Sequence, residues 1–143
     1  MMKLEIYLHF NGEAEKALEF YRECFGGEVT YKQTYGESKQ EVPAEWKNRL
    51  IHSNFKFGDN MMMISDSGPQ HVVQPGSNVT LSIGADNVQE MEKVFNKLAE
   101  GGKINMPLQD TFWNARFGML TDKFGVNWMF NCNLPAKPEA KSL

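Results

Sequence analysis

Cysteine is nearly absent from this chain: its 143 residues include two, Cys24 and Cys132. Neither has the short spacing of a metal site, and two distant thiols make no disulfide framework, so both read as buried free thiols. An excess of basic charge is also lacking. Fifteen Lys and Arg stand against eighteen Asp and Glu, a net charge of −3, and without a basic stripe a nucleic-acid partner is not expected. The longest uninterrupted apolar run is Met61–Ile64, far short of the roughly 20 residues that span a bilayer. Glu5 interrupts the N-terminus before an apolar leader forms. The chain is therefore read as cytoplasmic, with no membrane partner. At this length a single domain buries roughly 70% of its unfolded surface and needs no disulfide or metal to hold it.

What the chain does have is repetition. Phe57-Gly58-Asp59-Asn60-Met61-Met62 returns as Phe124-Gly125-Val126-Asn127-Trp128-Met129, an offset of 67, and Phe20 with Gly26-Gly27 returns as Phe95 with Gly101-Gly102, an offset of 75. The second offset also carries Leu4, Ile6 and Leu8 onto Val79, Leu81 and Ile83. The polar stretch Glu37 to Trp46 is the natural place for the extra residues of the first copy. Two copies too small to close a core alone are expected to share one, with a ligand site at their seam.

The periodicities fill in each copy. Leu4 to Phe10 alternates, placing Glu5, Tyr7 and His9 opposite Leu4, Ile6, Leu8 and Phe10, the pattern of a half-buried strand. Glu13 to Phe25 has helical spacing, with Asn11-Gly12 expected to cap and turn its start and Gly26 to end it. Strands are expected at Glu28 to Tyr35, Arg49 to Phe57 and Asn60 to Asp66, the last two joined at Gly58-Asp59. The second copy repeats the order: a strand at Val79 to Gly84, a helix at Val88 to Glu100 capped by Asn87, and strands at Lys103 to Gln109, Ala115 to Thr121 and Val126 to Cys132. The fold class is α+β, one domain of tandem βαβββ modules, about 1–66 and 77–133. A linker from Ser67 to Gly76 joins the modules, and a tail runs from 134 to 143.

With these motifs the chain resembles the vicinal oxygen chelate superfamily of glyoxalase I, bleomycin-resistance proteins, fosfomycin-resistance enzymes and extradiol dioxygenases. Within it the chain is similar to the PhnB-like branch, often labelled 3-demethylubiquinone 3-methyltransferase. The resemblance rests on Tyr7-Leu8-His9-Phe10, Ala17-Leu18-Glu19-Phe20-Tyr21, Phe25-Gly26-Gly27, Ile51-His52, Ile64-Ser65-Asp66, Asp110-Thr111-Phe112-Trp113, Thr121-Asp122-Lys123-Phe124-Gly125 and Trp128-Met129. It implies a curled mixed sheet in each module with the helix outside, and a homodimer. It also implies that metal-dependent relatives draw ligands from the first and last strands of each module. The matching positions here are Glu5 or Tyr7, Thr80 or Ser82, Met62 and Met129, a poor set for a hard divalent ion.

The expected function is therefore binding of a small, apolar or planar molecule in the inter-module cavity without a cofactor. His9, His52, Gln109, Phe112, Trp113, Arg116, Trp128 and Met129 are the candidate binding residues, with Met62 and Met119 beside them. An unperturbed imidazole titrates near neutrality and can serve as a general base, the rings and thioethers suit an adaptable pocket, and Gln109 and Arg116 offer polar contacts. His71 reads as a solvated linker residue, and Asp66 and Asp122 as carboxylates that accept backbone N–H groups at turns. The alternative is a divalent-metal enzyme, an isomerase, dioxygenase or transferase, using Glu5, His9 and His52 as displaced ligands. Methyl transfer is a third reading, set against the glycine pairs, which close helices where a nucleotide-type cofactor site needs glycines that open one.

Overall fold

A computed structural model describes residues 1–136, so the expected tail lies outside the described residues beyond Ala136. The chain divides into two compact units, Met1–Gln74 and a second beginning at Pro75. The first runs β1 (Ile6–Phe10), α1 (Ala14–Phe25), β2 (Glu28–Thr34), β3 (Leu50–Phe57) and β4 (Asn60–Asp66), with a 3₁₀ turn, Ala44–Trp46, between β2 and β3. The second runs β5 (Leu81–Ala85), α2 (Val88–Leu98), β6 (Lys103–Asp110), β7 (Ala115–Thr121) and β8 (Asn127–Asn133). Each is βαβββ, and each builds a four-stranded mixed sheet, ordered β1-β4-β3-β2 and β5-β8-β7-β6. The first and last strands of each unit run parallel and the remaining pairs antiparallel.

Alternation gives each sheet one face for its helix and one without. In the first unit Phe10, Phe55, Met62 and Ile64 are buried with Ala14, Ala17, Leu18 and Tyr21 of α1. Each large side chain so enclosed contributes about 1.5–3 kcal/mol. In the second unit Leu120, Trp128, Phe130 and Cys132 are buried with Met91, Phe95 and Leu98 of α2. Leu4, expected on the buried face, is 98% exposed, because β1 begins only at Ile6 and forms the sheet edge.

The helix ends show why the glycine pairs recur. Gly26 and Gly101 take φ of 71° and 74°, left-handed values that terminate a helix without the steric penalty of a Cβ. Gly27 and Gly102 act differently: a Cβ on either would collide with a strand carbonyl oxygen, that of Lys56 or Thr121. The chain leaves each helix pressed against the neighbouring strand. The α2 start is as expected, with Asn87 accepting the Glu90 N–H at 2.8 Å. At α1, Glu13 makes no side-chain cap and Asn11 turns away to bond both polar groups of Val73. The missing cap comes from β4, where Asp66 Oδ1 accepts the N–H groups of Gly12 at 2.7 Å and Ala14 at 3.0 Å.

The echo of Phe57-Gly58 in Phe124-Gly125 does not survive as a register. Gly58-Asp59 is a two-residue turn between Phe57 and Asn60, whereas β7 ends at Thr121 and Phe124 lies in the longer turn to Asn127. Tyr7 pairs Met63, and Ser82 pairs Met129. The structural spacing on the last strands is thus 66, one less than the sequence echo.

The two glycines of each pair are separable by substitution. Gly26→Ala is expected to cost about 1 kcal/mol, the left-handed penalty alone, since no atom lies within 4 Å of its added Cβ. Gly27→Ala is expected to cost about 3 kcal/mol through its backbone collision. Urea denaturation checks the order.

Candidate functional site

The face of the first sheet turned away from α1 gathers the polar and aromatic side chains that the sequence scatters over more than fifty residues. Residues two apart on a strand share a face, which puts Tyr7 and His9 of β1 together, and likewise His52 and Asn54 of β3 and Met63 and Ser65 of β4. Tyr7 and Asn54 both pair Met63 across the ladder, and His9 pairs Ser65. The Tyr7 and His9 rings stack at 4.4 Å with 12° between planes, and the Tyr7 and His52 rings meet edge-on at 5.5 Å. Tyr31 of β2 adds a tilted ring 6.0 Å from His52.

Hydrogen bonds fix the same groups. The phenol of Tyr7 is 2.8 Å from His52 Nδ1, and His52 Nε2 is 3.0 Å from Asn54 Oδ1. His9 Nδ1 is 3.1 Å from the hydroxyl of buried Ser65. β1 and β3 are not neighbours, so Tyr7 reaches over β4, a span of roughly 10 Å set by two strand spacings. A phenol is long enough to do this where serine or aspartate is not.

At the end of β1 and β4, residues 67–74 fold back as a strap anchored by the Asn11 bonds to Val73. Under it lies a cleft of about 750 Å³ lined by His9, Tyr35, Ile51, Ser65, Ser67 and His71, among others. His71 is exposed, as expected of a solvated linker residue, and lines the same cleft as His9. Burial first, and the nearby His71 second, push the His9 imidazole below its ordinary value. Tyr35 donates its hydroxyl to the Asp66 carbonyl at 2.8 Å; burial and then the Asp66 carboxylate push its phenol up.

The remaining candidates lie in the second unit. Trp113 is 48% exposed at the β6–β7 turn, donating its indole N–H to Asn131 at 3.3 Å and meeting the Phe117 ring edge-on at 5.7 Å. Phe112 beside it is 96% exposed. Gln109 pairs Phe117, Met129 pairs Met119 and Ser82, and all stand on the face without the helix. Arg116 stands on the other face, bound to Glu92 of α2 at 2.8 Å and to Asp110 at 3.1 Å, so it offers no polar contact on the open face. Asp110 first, then Glu92, raise its pKa beyond the ordinary guanidinium value. Trp128 is 1% exposed and donates to Asp122 Oδ2 at 2.9 Å, which makes it core. Asp122 also accepts the N–H groups of Phe124 and Val126, the turn role expected of it.

A divalent metal of the kind the superfamily implies requires oxygen or imidazole donors from the first and last strands. Those strands bring Tyr7 beside Met63 and Ser82 beside Met129. Met62, the position expected from the hairpin spacing, points to the helix side and is buried. The displaced set is not assembled either. Glu5 lies before β1 and pairs with Lys3, and no group of three or more His, Cys, Asp or Glu able to hold an ion occurs among the described residues. These side chains do not fit such an ion.

Tyr7 was legible as a strand residue on the open face. Asn54 and Ser65 carry no comparable signal of their own, although Asn54 stands two residues from His52 and Ser65 belongs to the Ile64-Ser65-Asp66 motif. Their roles depend on pairing that no local spacing reveals.

Residues 2–130 match the family described as 3-demethylubiquinone-9 3-methyltransferase. The chain is 34% identical to Protein YjdN of Escherichia coli (strain K12), over 91% of this chain and 95% of that protein. Among solved structures, protein PA1353 from Pseudomonas aeruginosa has a TM-score of 0.83 at 37% identity, covering 94% of this chain and all of its own. A putative 3-demethylubiquinone-9 3-methyltransferase, PhnB protein, from Bacillus cereus has a TM-score of 0.75 at 30% identity, over 92% and 99% of the two chains. A glyoxalase/bleomycin resistance protein/dioxygenase family enzyme from Burkholderia phytofirmans, at 16% identity over 90% and 97% of the two chains, has a TM-score of 0.62, a likeness of fold alone. Among the described residues no helix is long and apolar enough to cross a membrane.

The His9 environment gives a signed expectation. Its folded-state pKa is depressed, so its contribution to stability is complete above the unfolded value of about 6.5 and is lost as pH falls toward the folded value. NMR titration is expected to place the His9 midpoint below that of a free imidazole and to raise it in His71→Gln. An unchanged midpoint in the variant contradicts the placement of His71.

Proposed function

The chain belongs to the 3-demethylubiquinone-9 3-methyltransferase family, the PhnB-like branch of the glyoxalase/bleomycin-resistance/dioxygenase superfamily, and on that footing we propose that it binds a small, planar, largely apolar molecule on the open face of its first sheet without a resident metal. The observation that carries this reading is the ladder of rings formed by Tyr7, His9 and His52 on a face its own helix leaves uncovered. Flat π surfaces held by strand backbone offer a planar ligand contact at little conformational cost. Met63 beside them gives a polarizable, adaptable neighbour.

The donor chemistry supports the metal-free part, since methionine and serine hydroxyl replace the hard ligands such an ion wants. Methyl transfer, which the family's description names, draws no support from the glycines: Gly26 and Gly101 terminate helices, and Gly27 and Gly102 are committed to close packing against strands. A cofactor-cradling turn has its glycines at a helix start. The protein is taken to work as a homodimer, as the resemblance implies, and in the cytoplasm, as its short apolar runs led us to expect.

Isothermal titration with planar aromatic compounds is expected to find affinities tighter than about 1 mM. His9→Ala, which removes one stacked ring, is expected to weaken them by about tenfold. A panel with no measurable binding contradicts the reading. Protein purified without chelator is expected to contain less than roughly a tenth of an equivalent of any transition metal; a stoichiometric ion contradicts the metal-free part, and retention of labelled S-adenosylmethionine would restore the methyltransferase reading.

A further inference from the structure

The bonds around His52 have a direction. An amide oxygen only accepts, so Asn54 Oδ1, 3.0 Å from His52 Nε2, takes a hydrogen from that nitrogen. The neutral ring then has a bare Nδ1, and the hydroxyl 2.8 Å away on Tyr7 donates to it. Tyr7 thereby gives up its single donor to the interior of the network. Its side chain is 37% exposed, so what the open face offers a ligand at this point is an oxygen with free lone pairs.

We propose that Tyr7, His52 and Asn54 form a metal-independent proton relay that binds and deprotonates a weakly acidic hydroxyl of the phenol or enol class. The inference rests on the reading that this face binds a small planar molecule, and it names the polar group that molecule carries. In the step, the ligand O–H bond breaks and its proton bonds to Tyr7 Oη. The Tyr7 O–H bond breaks in turn, and that proton bonds to His52 Nδ1. The electron pair stays on the ligand oxygen, and the imidazolium is held through its Nε2–H by Asn54. Nothing is oxidised or reduced, and no co-reactant is needed.

The same geometry selects the ligand class. A carboxylate or phosphonate is already ionised at neutral pH and would set its oxygens against an acceptor. An aliphatic alcohol is too weak an acid to yield its proton to an imidazole. A phenol or enol lies between, neutral at pH 7 yet far more acidic than an alcohol, and one carrying an electron-withdrawing group is the most readily deprotonated. Tyr7 is the residue whose hydroxyl meets the ligand's acidic group. His52 and Asn54 act through it, and His9, stacked on the phenol at 4.4 Å, is a positioning residue that holds the ring plane.

The test uses 4-nitrophenol, whose ionised and neutral forms absorb at different wavelengths, and 4-nitroanisole, which is similarly planar but has no acidic proton. With the full chain buffered below the midpoint of free 4-nitrophenol, binding is expected to increase the ionised fraction several-fold, equivalent to lowering its apparent pKa by about one unit. Tyr7→Phe retains the ring and is expected to bind both probes with no change in ionisation, and His52→Gln is expected to lose the shift as well. Nitrogen-detected NMR of the free protein is expected to show His52 as the Nε2–H tautomer. Binding of 4-nitrophenol with an unaltered spectrum, an equal shift in Tyr7→Phe, or an Nδ1–H tautomer each overturns the relay while leaving the binding reading in place. Failure of both probes to bind the unmodified protein overturns the two together.

Discussion

One buried carboxylate sets the geometry of the first unit. Asp66, the last residue of β4, accepts the N–H groups of Gly12 and Ala14 on Oδ1 and that of Leu50, at 3.1 Å, on Oδ2. It thus ties the β1–α1 turn, the start of α1 and the start of β3 to one strand end, while its own carbonyl receives the Tyr35 hydroxyl. Charge-assisted bonds of this kind are stronger than those between neutral groups. The three strands that meet at Asp66 are the three that carry Tyr7, His9, His52, Asn54 and Ser65. Without that tie the phenol of β1 would have no fixed partner two strands away.

The second unit reaches the same topology by other means. In the spacing that relates the two sheets, Asp66 corresponds to Cys132, a buried thiol, and α2 takes its cap locally from Asn87. The carboxylate of that unit, Asp122, instead closes the β7–β8 turn and holds the Trp128 indole in the core. On its open face stand Ser82, Met129, Phe117 and Asn131 where the first unit has Tyr7, Met63, His52 and Ser65. Duplication kept the scaffold and the paired glycines, while the hydrogen-bonding side chains diverged. A hydrogen-bonded set of rings on one sheet, without a counterpart on the other, follows from that divergence.

Much of the scaffold was readable from periodicity and turn chemistry. The alternation of Ile6 to Phe10, the helical spacing of Ala14 to Phe25 and the glycine pairs marked elements whose boundaries fall within a few residues of expectation. The register of β4 was not readable. Met61, Met62 and Met63 are identical in type, so composition does not say which faces the helix, and the sequence echo chose the wrong one by a single residue. A one-residue slip exchanges every side chain between faces, which is why Met62 belongs to the core and Met63 to the open face. The site was half visible. His9 and His52 stood out as titratable groups, but their link through Tyr7 depends on β4 lying between β1 and β3. The placement of His71 depends on a strap held by Asn11, which sequence spacing assigned to a helix cap. Trp128 and Arg116 were drawn toward the site by residue type, and each is occupied elsewhere by a carboxylate partner.

The proposed function requires that a ligand meet this protein on the open face of the first sheet. The most direct measurement is chemical-shift mapping of the isotope-labelled chain during titration with a planar hydroxyaromatic compound. The account places the largest changes at Tyr7, His9, His52, Asn54 and Ser65. Changes centred on Phe112 and Trp113, with the first sheet unaffected, would contradict it.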